Sequence, residues 1–348
     1  MKGRWRNNIK PEWFGAIPDG KTDCVVAFNC CINSGLPIEL SNGHYKFYSG
    51  IKVNKMSNIM IWGTGAVITK EGDKNINRCI LDFDDIPNNQ NGIEFSFFQS
   101  LTIKDVYISF NKKKSPSNYA ALKLSNGSNF LLDGICIDSY GGQNSKGIVL
   151  GDEAKRLSVF NGVIHRCKVI SNKGIGIYSG VGNTSLNFNT CYLIGGNYEI
   201  KGTVYSSFLN CACDASRLPS YHITGDMYFN STNLTFISCG AEGGMSSAFL
   251  LDNYSQNISM INPYGNNDNI LGYSNIGSLI TISAKEEFVK NINIDNPTSL
   301  DNNSSQSIFI DGNKAKNILI LGLNETLLKN GIKGELRGVM FQGDSDKK

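Results

Sequence analysis

Short runs in which apolar and polar residues alternate recur along most of the chain, each closed by Gly, Asn or Asp. They include SNIMIWG from Ser57, QSLTIKDVYI from Gln99, SNFLLDGICI from Ser128, KRLSVFNGVI from Lys155 and TSLNFNTCYL from Thr184. TNLTFISCGAE from Thr232, QNISMINPYG from Gln256, KNINIDNPTS from Lys290 and KNILILGLNE from Lys316 extend the series. Alternation with a period of two is the mark of a strand that buries one face. With the first large apolar residue as register, Leu101, Phe130, Leu157 and Leu186 stand 29, 27 and 29 residues apart, and Ser206 to Leu234 is 28. Strands that repeat at this interval predict the coils of a parallel solenoid.

Cysteine and asparagine support the same register. Cys167, Cys191, Cys211 and Cys239 each fall near the end of a repeat, at intervals of 24, 20 and 28. Equivalent positions on successive coils stack at about 4.8 Å, so a column of small inward side chains is expected. The ten cysteines include no paired CxxC with zinc spacing and are expected as buried free thiols, in keeping with folding in a reducing cytosol. Asn126, Asn129, Asn233, Asn257, Asn291 and Asn317 are expected to stack at turns, where Asn tolerates the left-handed conformation. An antiparallel sandwich or propeller would need matched hairpins, and most Asn-Gly pairs here follow only one strand.

Residues 11–48 differ in kind. PEWFGA from Pro11 and PDGKTD from Pro18 predict a strand and a tight Asp-Gly turn. CVVAFNCCIN from Cys24 then places Val25, Phe28 and Ile32 at helical spacing, with Thr22 or Asp23 as cap and Gly35 beyond the end. One amphipathic helix ahead of a solenoid covers the open end of its core. Composition removes other classes. Charged residues are only 18%, hydrophobic residues 41%, and the net charge is +3, which excludes a coiled coil, a disordered chain and the basic field of a nucleic-acid binder. Met1 to Lys10 is not a secretory signal, and no apolar stretch is long enough for a membrane span.

WFGAIPDGKTD, the short helix and LPIELSNGHYKF from Leu36 resemble the N-terminal motif of the pectate-lyase-like superfamily, and the preceding Lys10-Pro11-Glu12 resembles the form found in phage and prophage tailspikes. The resemblance implies an all-β fold, a single-stranded right-handed parallel β-helix of about ten coils and roughly 50 Å. The expected parts are a lead segment 1–12, the motif and capping helix 13–48, the β-helix 49–325 and a tail 326–348. It also implies a homotrimer that acts on a bacterial surface polysaccharide (capsule or O-antigen), with other phage tail proteins as further partners and the virion tail as its setting. No cofactor, nucleic acid or membrane insertion is expected.

Candidate chemistry gathers in two matching coils. Asn210-Cys211-Ala212-Cys213-Asp214 aligns with Ser238-Cys239-Gly240-Ala241-Glu242 at a separation of 28, so Asp214 and Glu242 take corresponding places. A pair of carboxylates on a rigid surface is what glycoside hydrolysis requires, although each acid could equally satisfy turn amides. Arg217, Tyr221, His222, Asp226 and Tyr228 follow and are the expected substrate-binding residues, because rings stack on sugars and cations pair with their polar groups. Two alternatives stand beside hydrolysis. One is a lyase in which Tyr221 or His222 removes the proton α to a uronate carboxylate while Arg217 stabilises the enediolate; the other is a receptor-binding spike without turnover. Asp252 is expected as a turn cap, Asp152-Glu153 as a solvated charge cluster and Lys112 to Lys114 as a solvated loop. No metal site is assigned, since Asp82, Asp84 and Asp85 lack the loop of an EF-hand.

Overall fold

The computed structural model describes residues 8–65, 78–111, 119–139, 145–171, 174–180, 182–244, 246–266, 278–299, 308–322, 333–334 and 339–342. The chain winds as a right-handed parallel β-helix with three faces. One coil shows the plan: Val204–Leu209 lies on a long-strand face, Ala212–Asp214 on a short-strand face and Tyr221–Thr224 on a third face. Each of these strands pairs in parallel with its counterparts on the coils before and after. The short-strand face is an 11-stranded sheet, about 50 Å long at the usual strand spacing. No helix among the described residues is long and apolar enough to cross a membrane.

Alternation explains the core. Phe188, Phe208 and Phe236 stack through the interior with centroids 4.4 and 4.7 Å apart. Beside them Tyr198, Tyr221 and Phe249 stack at 4.7 and 4.6 Å. The two columns meet edge to face, as at Tyr221 and Phe236, 5.9 Å apart. Cys167, Cys191, Cys211 and Cys239 form the expected column; all ten cysteines are free thiols, and only Cys30 is exposed. Burial pushes the Cys136 and Cys213 thiols up to about 12, which keeps these two protonated and inert.

The turns require the left-handed conformation. Asn129, Asn161, Asn233, Asn257, Asn291 and Asn317 all have φ between 52° and 56°. They share one register column, because the strands around them pair in order. The amide of Asn291 donates to Asn257 at 2.8 Å and that of Asn317 to Asn291 at 2.9 Å. Asn126 is also left-handed (φ 48°) but stands at the turn before this column.

Several expectations change. Leu157 is not in the coil register: Phe130 and Leu186 both pair with Gly162. The apolar pattern misleads there because a Cβ at Gly162 would sit 2.0 Å from the Phe130 ring, which fills the place of the missing side chain. Pro11–Phe14 is a 3-10 turn rather than a strand, with Pro at its first position. The helix Val25–Asn33 buries Ala27, Phe28, Cys31 and Ile32, and Phe28 meets Tyr45 and Phe47 edge to face at 5.5 and 4.9 Å, which closes the end of the core. Cys24 occupies the cap position, while the Asp23 carboxylate accepts the Val25 N–H at 3.2 Å. Coil pairing begins before residue 49, at Asp19–Asp23 with Gly43–Lys46, and continues past 325, where Val339–Gln342 pairs with Ala315–Leu321.

Candidate functional site

Asp214 and Glu242 are direct partners on neighbouring strands of the short-strand face. Cys213 and Ala241 between their flanking residues point inward and are buried, so alternation sends both carboxylates to the outer wall. Their backbones lie about 4.8 Å apart, one strand spacing. Two tyrosines flank them in the adjoining column, where Tyr192, Ala212, Gly240 and Tyr264 follow one another coil by coil. Tyr192 donates its hydroxyl hydrogen bond to Asp214. The Tyr264 ring lies over Gly240, where a Cβ would come within 2.5 Å of it. Lys168 stands 5.5 Å above the Tyr192 ring. The two rings thus lie over the small residues Ala212 and Gly240 and border the carboxylate pair. Burial raises the Asp214 carboxyl above its ordinary value, against the lowering effects of Tyr192 and Lys168. Tyr192 and Tyr264 escaped notice in the sequence, although Cys191-Tyr192, Cys211-Ala212, Cys239-Gly240 and Pro263-Tyr264 align at the register of the cysteines.

The five expected binding residues do not gather around this pair. Tyr221 faces inward and is fully buried. It is sandwiched between Tyr198 and Phe249, and its hydroxyl donates to the Cys211 carbonyl at 2.6 Å. Strand alternation places Tyr221 and Ile223 in the core and His222 outside, so Tyr221 contacts no substrate. Arg217 is exposed on the loop that follows Asp214. Asp226 accepts the N–H groups of Tyr228 and Phe229 at 2.8 and 2.9 Å, which makes it a turn-former on the far edge of the third face. Tyr228 is exposed beside it, with the Arg156 guanidinium 4.8 Å from its ring.

His222 lies on the third face between two acids. One ring nitrogen meets Glu199 at 3.0 Å and the other meets Asp252 at 3.2 Å. Asp252 therefore holds a histidine rather than serving only as a cap. Burial alone would lower the imidazole, but the hydrogen bonds to Asp252 and Glu199 outweigh it and push the pKa up to about 10. A cation at neutral pH cannot accept a proton, so elimination loses both of its expected bases, Tyr221 and His222. The raised value also carries a stability consequence. Histidine is charged in the folded and unfolded chain alike below about 6.5, so the contribution is complete there. It is lost as the pH climbs from about 6.5 to about 10, at up to about 1.4 kcal/mol per pH unit. Thermal melts of the wild type and His222→Gln should therefore converge across that window; a gap that does not change with pH would refute the double ion pair.

Other acids are also committed. Asp152 is buried and paired with Lys123 at 2.7 Å, and Glu153 accepts the Tyr178 hydroxyl at 2.8 Å and binds Lys201. Both line a pocket; Asp152 is buried, while Glu153 stays in solvent with Lys155 and Arg156 as expected. Asp82 binds the Lys46 ammonium at 3.1 Å and His44 at 2.6 Å, and Asp85 also reaches Lys46. Asp84 accepts from Ser109 at 2.8 Å. Lys112 to Lys114 lies outside the described residues.

The chain is similar to several solved structures. The pre-mature gene product 12 of bacteriophage phi29 matches with a TM-score of 0.66 at 14% identity, over 97% of this chain and 51% of that one. The Agl-KA catalytic domain matches at 0.61 and 17% identity, over 92% of this chain and 58% of that domain. The endo-xylogalacturonan hydrolase of Aspergillus tubingensis matches at 0.59 and 14% identity, over 98% and 94%. The chain thus spans between half and three-fifths of the first two proteins, and identities this low speak for the fold alone. No curated protein matches the chain. The family model described as a right handed beta helix region covers residues 37–213, half of the chain, and takes in Cys167, Cys191 and Cys211 of the cysteine column. The parallel pairing, the stacked core and this match agree: the chain belongs to the right-handed β-helix family.

Proposed function

We propose that the chain binds a bacterial surface polysaccharide, capsule or O-antigen, along its outer wall and cleaves it by endoglycosidic hydrolysis, as one member of a homotrimeric phage tail protein. The observation that carries this is the Asp214–Glu242 pair, in register on adjacent coils with one carboxyl pushed up by burial. Asp214, kept protonated more readily, donates its proton to the glycosidic oxygen. Glu242 attacks the anomeric carbon as the glycosidic bond breaks, giving a glycosyl ester and a free alcohol. Water, deprotonated by the Asp214 carboxylate, then releases the sugar and restores both acids. Tyr192 orients Asp214 through its hydrogen bond, and the rings of Tyr192 and Tyr264 beside the pair offer faces to stack on sugars. The structural likeness to a xylogalacturonan hydrolase and to a phage protein supports this assignment at the level of fold.

Carboxyl groups one strand apart fall near the roughly 5–5.5 Å of retaining enzymes rather than the roughly 6.5–9.5 Å of inverting ones. A panel of purified capsules and O-antigens, followed by mass spectrometry and NMR of the fresh products, should give saturated fragments with the anomeric configuration of the substrate. Inverted products would displace Glu242 from the nucleophile's role. Unsaturated ends would replace hydrolysis by elimination, and tight binding without shortening of any glycan would leave a spike without turnover.

A further inference from the structure

A second site lies on the third face, displaced along the axis from the carboxylate pair by about three coils, or roughly 15 Å. A pocket of about 220 Å³ lies there over the paired strands Ala120–Asp133, Lys146–Leu150 and Ile175–Gly180, beside the turn that carries Asp152 and Glu153. Val149 and Tyr178 give it an apolar floor, with Ala120 packed against them. The charges around it are satisfied with one exception. Lys123 is bound by Asp152, and Glu153 is bound by Lys201 and Tyr178. The Lys146 ammonium lies 4.8 Å from the centre of the Tyr178 ring, and among the described residues it has no hydrogen-bonded or ion-paired acceptor.

A half-buried ammonium that gives up water without gaining an acceptor is destabilised. An anion from outside would supply the acceptor, and a ring-sized ligand would cover the apolar floor. We propose that this pocket binds an acidic sugar, with its carboxylate accepting hydrogen bonds from Lys146 and its ring against Val149 and Tyr178. The sugar part of this inference rests on the function proposed above; the demand for an anion stands on the pocket alone. Burial holds Lys146 below its ordinary value, against Glu153 and Glu199 and together with Lys123 and Lys201. A carboxylate binds the charged form of Lys146, so affinity falls as alkaline pH removes that proton.

Equilibrium titration with glucuronate, followed by NMR, tests the pocket whether or not any glycan is cut. Glucuronate should bind saturably and glucose should not. Lys146→Met should weaken glucuronate by about tenfold or more, the scale of a hydrogen bond to a charged group, while Asp214→Asn should leave it unchanged. Should the Met variant fail to fold, the wild-type protein serves: affinity must decline as alkaline pH discharges Lys146. Equal binding of glucose, acetate as tight as glucuronate, a preference for glucose 6-phosphate, or a folded Lys146→Met of unchanged affinity would each overturn the proposal.

Discussion

Asp214→Asn and Glu242→Gln, made one at a time, are each expected to reduce glycan cleavage by about 10²- to 10⁴-fold, the usual worth of a positioned acid, base or nucleophile. Both substitutions keep the size of the side chain on short strands whose backbone is held by the neighbouring coils, so folding and glycan binding should be unchanged. The two losses should differ in kind. An aryl glycoside whose leaving group needs no proton should restore the first step to Asp214→Asn, seen as a burst of released aryl alcohol. Turnover stays slow because the base for the second step is also missing; added azide, which needs no base, should relieve it. Glu242→Gln should remain slow on the same substrate, because the attacking group is gone. Tyr192→Phe removes the hydrogen bond that lowers the Asp214 carboxyl and should move the alkaline limb of the pH–rate profile to higher pH, with a smaller change in the rate at its optimum. Full activity in both carboxylate variants would remove the site from this face. Equal rescue of both by the aryl substrate would exchange no roles but would show that neither acts as the nucleophile.

How much of this was legible in the sequence follows from what repeats. The column of Cys167, Cys191, Cys211 and Cys239 and the left-handed asparagines are like-on-like features, visible because stacking demands the same small or turn-forming side chain on each coil. The pairing of Asp214 with Glu242 came from the same alignment. Leu157 was misread because a repeat tolerates exchange of volume between coils: Phe130 reaches into the space above Gly162, so the position of greatest apolar character is not the position in register. The five binding residues were grouped by nearness in sequence, yet the chain turns a corner between Asp214 and Tyr221. A solenoid brings together residues one coil apart and separates those on adjoining faces. For the same reason the assemblies that span coils, Glu199 with His222 and Asp252 or Lys146 with Tyr178, leave no local motif.

Tyr221→Ala should cost about 3–5 kcal/mol of stability, the range for removing a large aromatic from a packed core. The site is unfavourable for collapse. The rings on either side, Tyr198 and Phe249, are held at the spacing of their own coils, 4.7 and 4.6 Å from Tyr221, so the gap cannot close without breaking strand pairs. The Cys211 carbonyl would also lose the hydroxyl that it accepts at 2.6 Å. Tyr221→Phe separates these two contributions. It keeps the stack and removes only the hydrogen bond, and should cost about 1 kcal/mol. Denaturant unfolding of the two variants measures both numbers, and neither substitution should alter the rate of glycan cleavage per folded molecule. A folded Tyr221→Phe that loses activity without losing stability would contradict the inward placement of this ring, and with it the alternation that sends His222 to the surface. In a β-helix such a loss is not confined to one contact, because each coil is the template for the next: weakening the stack at Tyr221 loosens the strands on both sides, including Ala212–Asp214 and Gly240–Glu242, on which the carboxylate pair depends.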